Sequence, residues 1–212
     1  MLKGVVDNFP LPKEECGVAI IKRFSVSEEE AKSYNMRLLF SGGFGLQRIE
    51  SGDYVKLIVN GELMMSDTRM EKFTNRDFIS NAHGEVMIAG LGIGLILENL
   101  IPLCESGKVT RVVVYEKYQD VIDLVASRYV SRMPLEVHLA DIMEYHPLKE
   151  EKYDTIYFDI WPVIEEDNLK DIRILHNRWK NHKKAGAWMD SWMAHHLRRR
   201  RDNERRSNYG WF

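Results

Sequence analysis

Two styles of apolar patterning follow one another along the chain. Up to about residue 80, short apolar runs are cut by glycine turns. Gly42, Gly43 and Gly45 precede the run 46–50, Ser51-Gly52-Asp53 leads into 54–59, and Asn60-Gly61 leads into 62–65. Asn-Gly between two such runs is the strongest two-residue hairpin signal, because the tight turn needs positive φ at both positions. The pattern predicts a meander of three short antiparallel strands. Ahead of it, Ser27 with Glu30 three residues on predicts a helix start, each side chain covering a backbone N–H that the structure there would leave bare.

From about residue 84, uninterrupted apolar runs alternate with helical segments. Strands are predicted at 86–89, 109–115, 135–139, 155–158 and around 187–189, and helices at 95–100, about 118–129 and about 168–182. Strands that are apolar at successive positions are covered on both faces, which means a parallel sheet between helices. Such sheets bind ligands at the carboxyl ends of their strands, where the strand order reverses. The expected organisation is a first part, 1–80, with a helix and the small meander, and a second, 81–212, with the ligand-binding sheet and an Arg-rich tail.

The first strand-end loop of that second part is Gly90-Leu91-Gly92-Ile93-Gly94. Glycines there let a ligand approach the backbone beside a helix N-terminus. Glu116 ends the next predicted strand, 22 residues after Gly94, where a carboxylate can accept both hydroxyls of a ribose. Asp141 follows the third strand, a position suited to an adenine amino group, and Asp159 ends the fourth, over the place where a transferred group would leave. Leu95 stands where the dinucleotide fingerprint G-x-G-x-x-G has its third glycine, and no G-x-x-x-x-G-K-[ST] occurs. A nucleoside without phosphates therefore suits the turn better than NAD, and S-adenosylmethionine is the expected cofactor.

At these residues the chain resembles the S-adenosylmethionine-dependent methyltransferases with a Rossmann-like sheet, and within them the spermidine synthase-like group, over roughly residues 40–193. The resemblance implies a doubly wound, mostly parallel sheet of methyltransferase type with a shortened C-terminus, preceded by a small antiparallel meander. It also implies that Gly90, Gly92 and Gly94 shape the cofactor turn, that Glu116 holds the ribose and Asp141 the adenine, and that Asp159 sits at the reacting centre. Asn60-Gly61 stands where that group has an Asp-Gly turn. Departures follow at once: Met64 replaces a glutamine, Arg69-Met70 an acidic pair, Phe73 a tyrosine and Asn75 a glutamate. Asp159-Ile160-Trp161-Pro162 stands against an Asp-Ser-Ser-Asp-Pro pattern, so one aspartate is kept and the second is not.

Three functions follow. The simplest is a methyltransferase of unknown acceptor, with Asp159 orienting or deprotonating a nucleophile. Trp161 would either stack on the acceptor or pack under the loop. The alternatives are aminopropyl transfer from decarboxylated S-adenosylmethionine, which the lost acids weaken, and a nucleoside-binding protein without catalysis. Asp190, at the fifth strand end, is a further candidate for the pocket.

Charge and composition narrow this only at the margins. The net charge of −2 excludes recruitment of nucleic acid or anionic membrane by the molecule as a whole. The run 198–206 holds six arginines against Asp202 and Glu204, either a solvated helix or a local surface for nucleic acid. Cys16 and Cys104 suggest neither disulfide framework nor metal cluster, and the adjacent His195 and His196 suggest no metal site. With no signal-like start and no apolar run long enough to span a bilayer, a soluble cytoplasmic protein acting on a small molecule is expected. A second copy of the chain is one way to cover an open sheet edge.

Overall fold

The computed structural model describes residues 2–40 and 47–209. Strands β1 (Lys13–Cys16) and β2 (Ala19–Val26) form a hairpin, and helix α1 (Glu28–Phe40) follows. Strands β3 (Gly52–Val59) and β4 (Glu62–Ser66) complete a four-stranded antiparallel sheet in chain order. Two short helices, α2 (Arg69–Thr74) and α3 (Arg76–Asn81), lead to the second sheet.

That sheet is built from β5 (Gly84–Ala89), β6 (Val109–Glu116), β7 (Leu135–Leu139), β8 (Tyr153–Phe158) and β9 (Lys183–Ser191). Helix α4 (Leu95–Glu105) joins β5 to β6, α5 (Gln119–Val125) joins β6 to β7, and α6 (Asn168–Trp179) joins β8 to β9, with α7 (Ala194–Tyr209) last. All pairs are parallel and the order is β7-β6-β5-β8-β9. This is the doubly wound, Rossmann-like α/β arrangement expected from the apolar runs. Successive residues of the central strands serve opposite faces. Val86, Ile88, Val112 and Val114 pack with α4, α5 and the inner side of the antiparallel sheet, through Ile21, Val55 and Leu57. Met87, Ala89, Val113 and Phe158 pack on the other face against Leu175 and Trp179 of α6. Among the described residues no helix is long and apolar enough to cross a membrane.

The predicted helix start is a reciprocal cap. Ser27 Oγ accepts the Glu30 N–H at 3.2 Å, and the Glu30 carboxylate accepts the Ser27 N–H at 2.8 Å. The meander differs from expectation. Gly42, Gly43, Gly45 and Leu46 lie outside the described residues, and 47–50 form no strand. The Asn35 amide takes both backbone groups of Ile49, its N–H at 3.0 Å and its C=O at 2.8 Å, so that segment has no need of a ladder. The neighbour of β3 is β2 instead, registered Ala19 to Val59. The segment predicted as one helix over 118–129 is α5 followed by a 3₁₀ turn at Ala126–Arg128.

Candidate functional site

The loops after β5, β6, β7 and β8 converge on a cavity of about 240 Å³, completed by residues of β3, β4, α2 and α4. Strand order reverses between β5 and β8, so the cavity sits at the switch point of the sheet. It brings together Gly90, Gly92, Glu116, Asp141, Asp159 and Trp161. Gly94 and Asp190 are not in its lining. Gly94, at φ 76, begins α4, and the space a side chain would need is filled by the Tyr129 ring. The Asp190 carboxylate accepts the Ser191 N–H at 2.9 Å and lies 3.9 Å from Arg198.

Gly90 leaves β5 at φ 97, and a Cβ there would meet the backbone carbonyl of Asp159 far inside the 3.0 Å that real Cβ atoms keep. The glycine thus lets the ends of β5 and β8 close on one another, with Gly90 N–H on Tyr115 C=O at 2.8 Å and Asp159 N–H on Ala89 C=O at 2.9 Å. At Gly92 the close neighbour is the sulfur of Met65, which also accepts the Ile93 N–H at 3.4 Å. Met65 on β4 therefore lies over the glycine turn, and the cavity is small beside the ~300–1,000 Å³ of most ligand sites.

Glu116 is 7 % exposed and ties two loops together. One carboxylate oxygen accepts the Leu91 N–H at 2.9 Å, and the other accepts the Tyr118 N–H at 2.9 Å. Burial raises its pKa above the ordinary carboxylate value, against the pull of these N–H groups. The Lys117 and Gly92 N–H groups also point at this carboxylate. Asp141 behaves differently. Its burial is outweighed by Lys117 at 2.9 Å and the Met143 N–H at 2.9 Å, which hold its pKa below the usual value. Both of its oxygens are engaged within the protein. Trp161 is half-buried, its indole N–H 3.4 Å from the Asp171 carboxylate, and it touches the apolar clusters on both sides of α6.

The residue that sequence reading missed is Glu71. It projects from α2 into the cavity, is 8 % exposed, and its carboxylate has no hydrogen-bond partner among the described residues. Burial first, and then the charge of Asp159, raises its pKa far above the carboxylate range. Asp159 is raised as well, by burial, with the Asn75 amide opposing. Asn75 is fully buried, accepts the Tyr157 hydroxyl at 2.9 Å and donates to the Glu71 carbonyl at 3.1 Å, which fixes α2 against the end of β8. Each carboxyl in this desolvated site therefore favours its protonated form more than a solvated one would.

Other groupings lack this character. Cys16, Asp120 and Asp123 lie within 4.8 Å of one another, a set the sequence reading did not foresee. Asp120 accepts the Val18 N–H at 2.9 Å, and desolvation and the two acids keep the thiol's pKa up, which disfavours thiolate ligation. His176 Nε2 lies 2.9 Å from Ser191 Oγ, an unforeseen pair, but that serine is buried away from the cavity lining.

No family model matches the chain, and no curated protein does. Solved structures similar to it include a DhpI complex with SAH (18% identity, TM-score 0.43, covering 55% of this chain and 52% of that one). Others are a SAM-dependent methyltransferase from Leishmania major (16%, TM-score 0.43, 56% and 47%) and a putative Zn-dependent alcohol dehydrogenase from Rhodobacter sphaeroides (23%, TM-score 0.38, 52% and 42%). The matched region spans about half the length of these chains.

Proposed function

We propose that the protein is an S-adenosylmethionine-dependent methyltransferase whose cofactor lies in the cavity between the glycine turn and Glu116. The observation that carries this reading is Glu116, a buried carboxylate on the cavity lining, fixed in place by Leu91 and Tyr118 N–H groups at the end of β6. It suits two adjacent hydroxyls. Gly90 and Gly92 leave bare backbone beside it, and Leu91, Tyr118 and Ile142 offer apolar walls for a base. Lys117, the cation of this lining, is engaged by Asp141, so a pyrophosphate would find no free positive partner among the described lining residues.

S-adenosylmethionine, when bound, supplies an electrophilic methyl group on a sulfonium. The chain's part is to hold it and to orient the acceptor. Glu116 holds the sugar, Asp141 faces the base with whatever capacity Lys117 leaves it, and Trp161 walls the acceptor side. Asp159 takes up or positions a proton of the acceptor. Positioning of this kind provides most of the rate in a direct displacement.

A second reading, aminopropyl transfer of the spermidine synthase-like kind, is supported by the antiparallel sheet ahead of the parallel one and by the additional acid Glu71 in the cavity. Calorimetric titration with S-adenosylmethionine, its decarboxylated form, S-adenosylhomocysteine and NAD separates the readings. Methyl transfer expects saturable binding of the methionine forms. Preference for the decarboxylated form would move the assignment to aminopropyl transfer, and binding of NAD alone would overturn both.

A further inference from the structure

The cavity pairs an unpartnered, nine-tenths buried carboxylate, Glu71, with a second carboxyl, Asp159, on a different element; Glu116, Lys117 and Asp141 also line it, each already engaged by neighbouring groups. Burying Glu71 beside Asp159 costs stability unless something compensates the charge. The donors from the described residues that reach Glu71 stop at its backbone carbonyl, and Lys117 is held by Asp141, so its carboxylate is left without a cation. A cation from outside fits that deficit. We propose that the Glu71–Asp159 pair is the seat of a hydrophobic monoamine, bound as its ammonium ion and relieved there of one proton before it is alkylated. Only the final alkylation rests on the methyl-transfer reading; recognition of the amine does not.

Charge sets the class. Two buried carboxyls lining one cavity disfavour a second negative charge beside the first, so a single ammonium is the best match for the pair. Glu116 and Asp141, the other acids of the lining, are already held by backbone N–H groups and by Lys117, and Leu57, Val59 and Met64 give a diamine's second charge no partner. A metal dication would find no third carboxylate, histidine or cysteine ligand close enough to complete a site with the pair among the described residues. The proton step balances within the site. One N–H of the ammonium passes its proton to a carboxylate oxygen of the pair, and the nitrogen keeps the bonding electrons as a free lone pair. The pair and the amine both become neutral, which the apolar surroundings favour on both sides.

The test is calorimetric titration of the full chain with benzylamine, benzyl alcohol and 1,4-diaminobutane, with and without S-adenosylhomocysteine. Wild type, Glu71→Gln and Asp159→Asn are compared. Benzylamine is expected to bind about tenfold or more tighter than either competitor, the weight of one good charge contact. Glu71→Gln should weaken it by roughly 30-fold or more, as removal of one buried charge partner does, while S-adenosylhomocysteine binding stays within about twofold. Diamine binding as tight as benzylamine, or undiminished benzylamine binding by Glu71→Gln, would overturn the proposal. Should the variants not fold, carboxyl ¹³C resonances of the wild type decide. Those of Glu71 and Asp159 should move together as benzylamine is added, and fixed resonances would also overturn it. Loss of S-adenosylhomocysteine binding with the amine pattern intact would sink the cofactor reading alone.

Discussion

Replacing Gly90 by alanine measures the close approach that shapes the cavity floor, and Gly107→Ala provides the reference. Both glycines have positive φ, 97 and 72, but a Cβ at Gly107 would meet no atom within 4 Å. The left-handed backbone costs an alanine about 1–2 kcal/mol, partly offset by the ~0.4–1 kcal/mol that a stiffer unfolded chain returns. Gly107→Ala should therefore destabilise by about 1 kcal/mol. At Gly90 the obstacle is the Asp159 carbonyl oxygen, with its carbon 3.1 Å away, and neither can swing aside as a side-chain tip would. Relief requires the ends of β5 and β8 to part, straining the Asp159 N–H to Ala89 C=O bond of 2.9 Å. Overpacking of this kind adds about 1–3 kcal/mol, so Gly90→Ala should cost about 2–4 kcal/mol in all. For a chain of this length that is roughly 4–16 °C in Tm. Urea unfolding of the two variants and wild type reads the difference directly. Equal costs for the two substitutions would refute the claim that the floor is closed against the backbone.

Glu98 supports a different expectation. Its burial opposes ionisation, yet Arg132 at 3.0 Å, Lys3 at 2.7 Å and Asn8 at 2.9 Å outweigh it and hold the pKa at about 2. A depressed folded pKa gives stability that is present above the unfolded value near 4.3 and lost as pH falls toward 2, about 2–3 kcal/mol in all. Glu98→Gln should thus be destabilised at pH 7 and approach wild type near pH 2, as measured by denaturation at each pH; a pH-independent gap would contradict the network. Glu116→Gln turns an amide NH₂ toward a backbone N–H of Leu91 or Tyr118, so nucleoside binding should weaken roughly 10- to 100-fold by titration. Unchanged affinity would remove Glu116 from the site. Asp159→Asn should lower methyl-transfer turnover by about 10²-fold or more while S-adenosylhomocysteine affinity stays nearly constant. Unaltered turnover in a single-turnover assay would exclude it from proton handling.

The parallel sheet was legible because its strands are buried on both faces, leaving continuous apolar runs such as Val112-Val113-Val114 and Ile156-Tyr157-Phe158. Strand ends then pointed to Gly90, Glu116, Asp141 and Asp159 by position alone, and all four line one cavity. The antiparallel sheet was harder. β1 reads Lys-Glu-Glu-Cys and never becomes buried, since it is an edge strand. β2 hides its inward pair, Ala19 and Ile21, in a run that also carries Lys22 and Arg23. Its available signal was the two-residue Gly17-Val18 connection, with Cys16 opposite Ala19. Glu71 had no local mark at all. On a six-residue helix of mixed polarity a glutamate reads as solvated, and only the docking of α2 through Asn75 turns it inward.

The strand order also bears on when the cavity comes into being. β5 and β6 are near neighbours in sequence, whereas β5 meets β8 only across about 70 residues, Val86 against Thr155. Closing so long a loop is the entropically slow event in building this sheet. Gly90 and Asp159 stand on the two sides of that seam, so the cavity they line exists only once the β5–β8 pairing has formed. A ligand that recognises the finished seam should slow unfolding while leaving the refolding rate untouched, which stopped-flow kinetics with and without S-adenosylhomocysteine would reveal. A ligand bound there would act as a clasp across the β5–β8 seam of the native sheet.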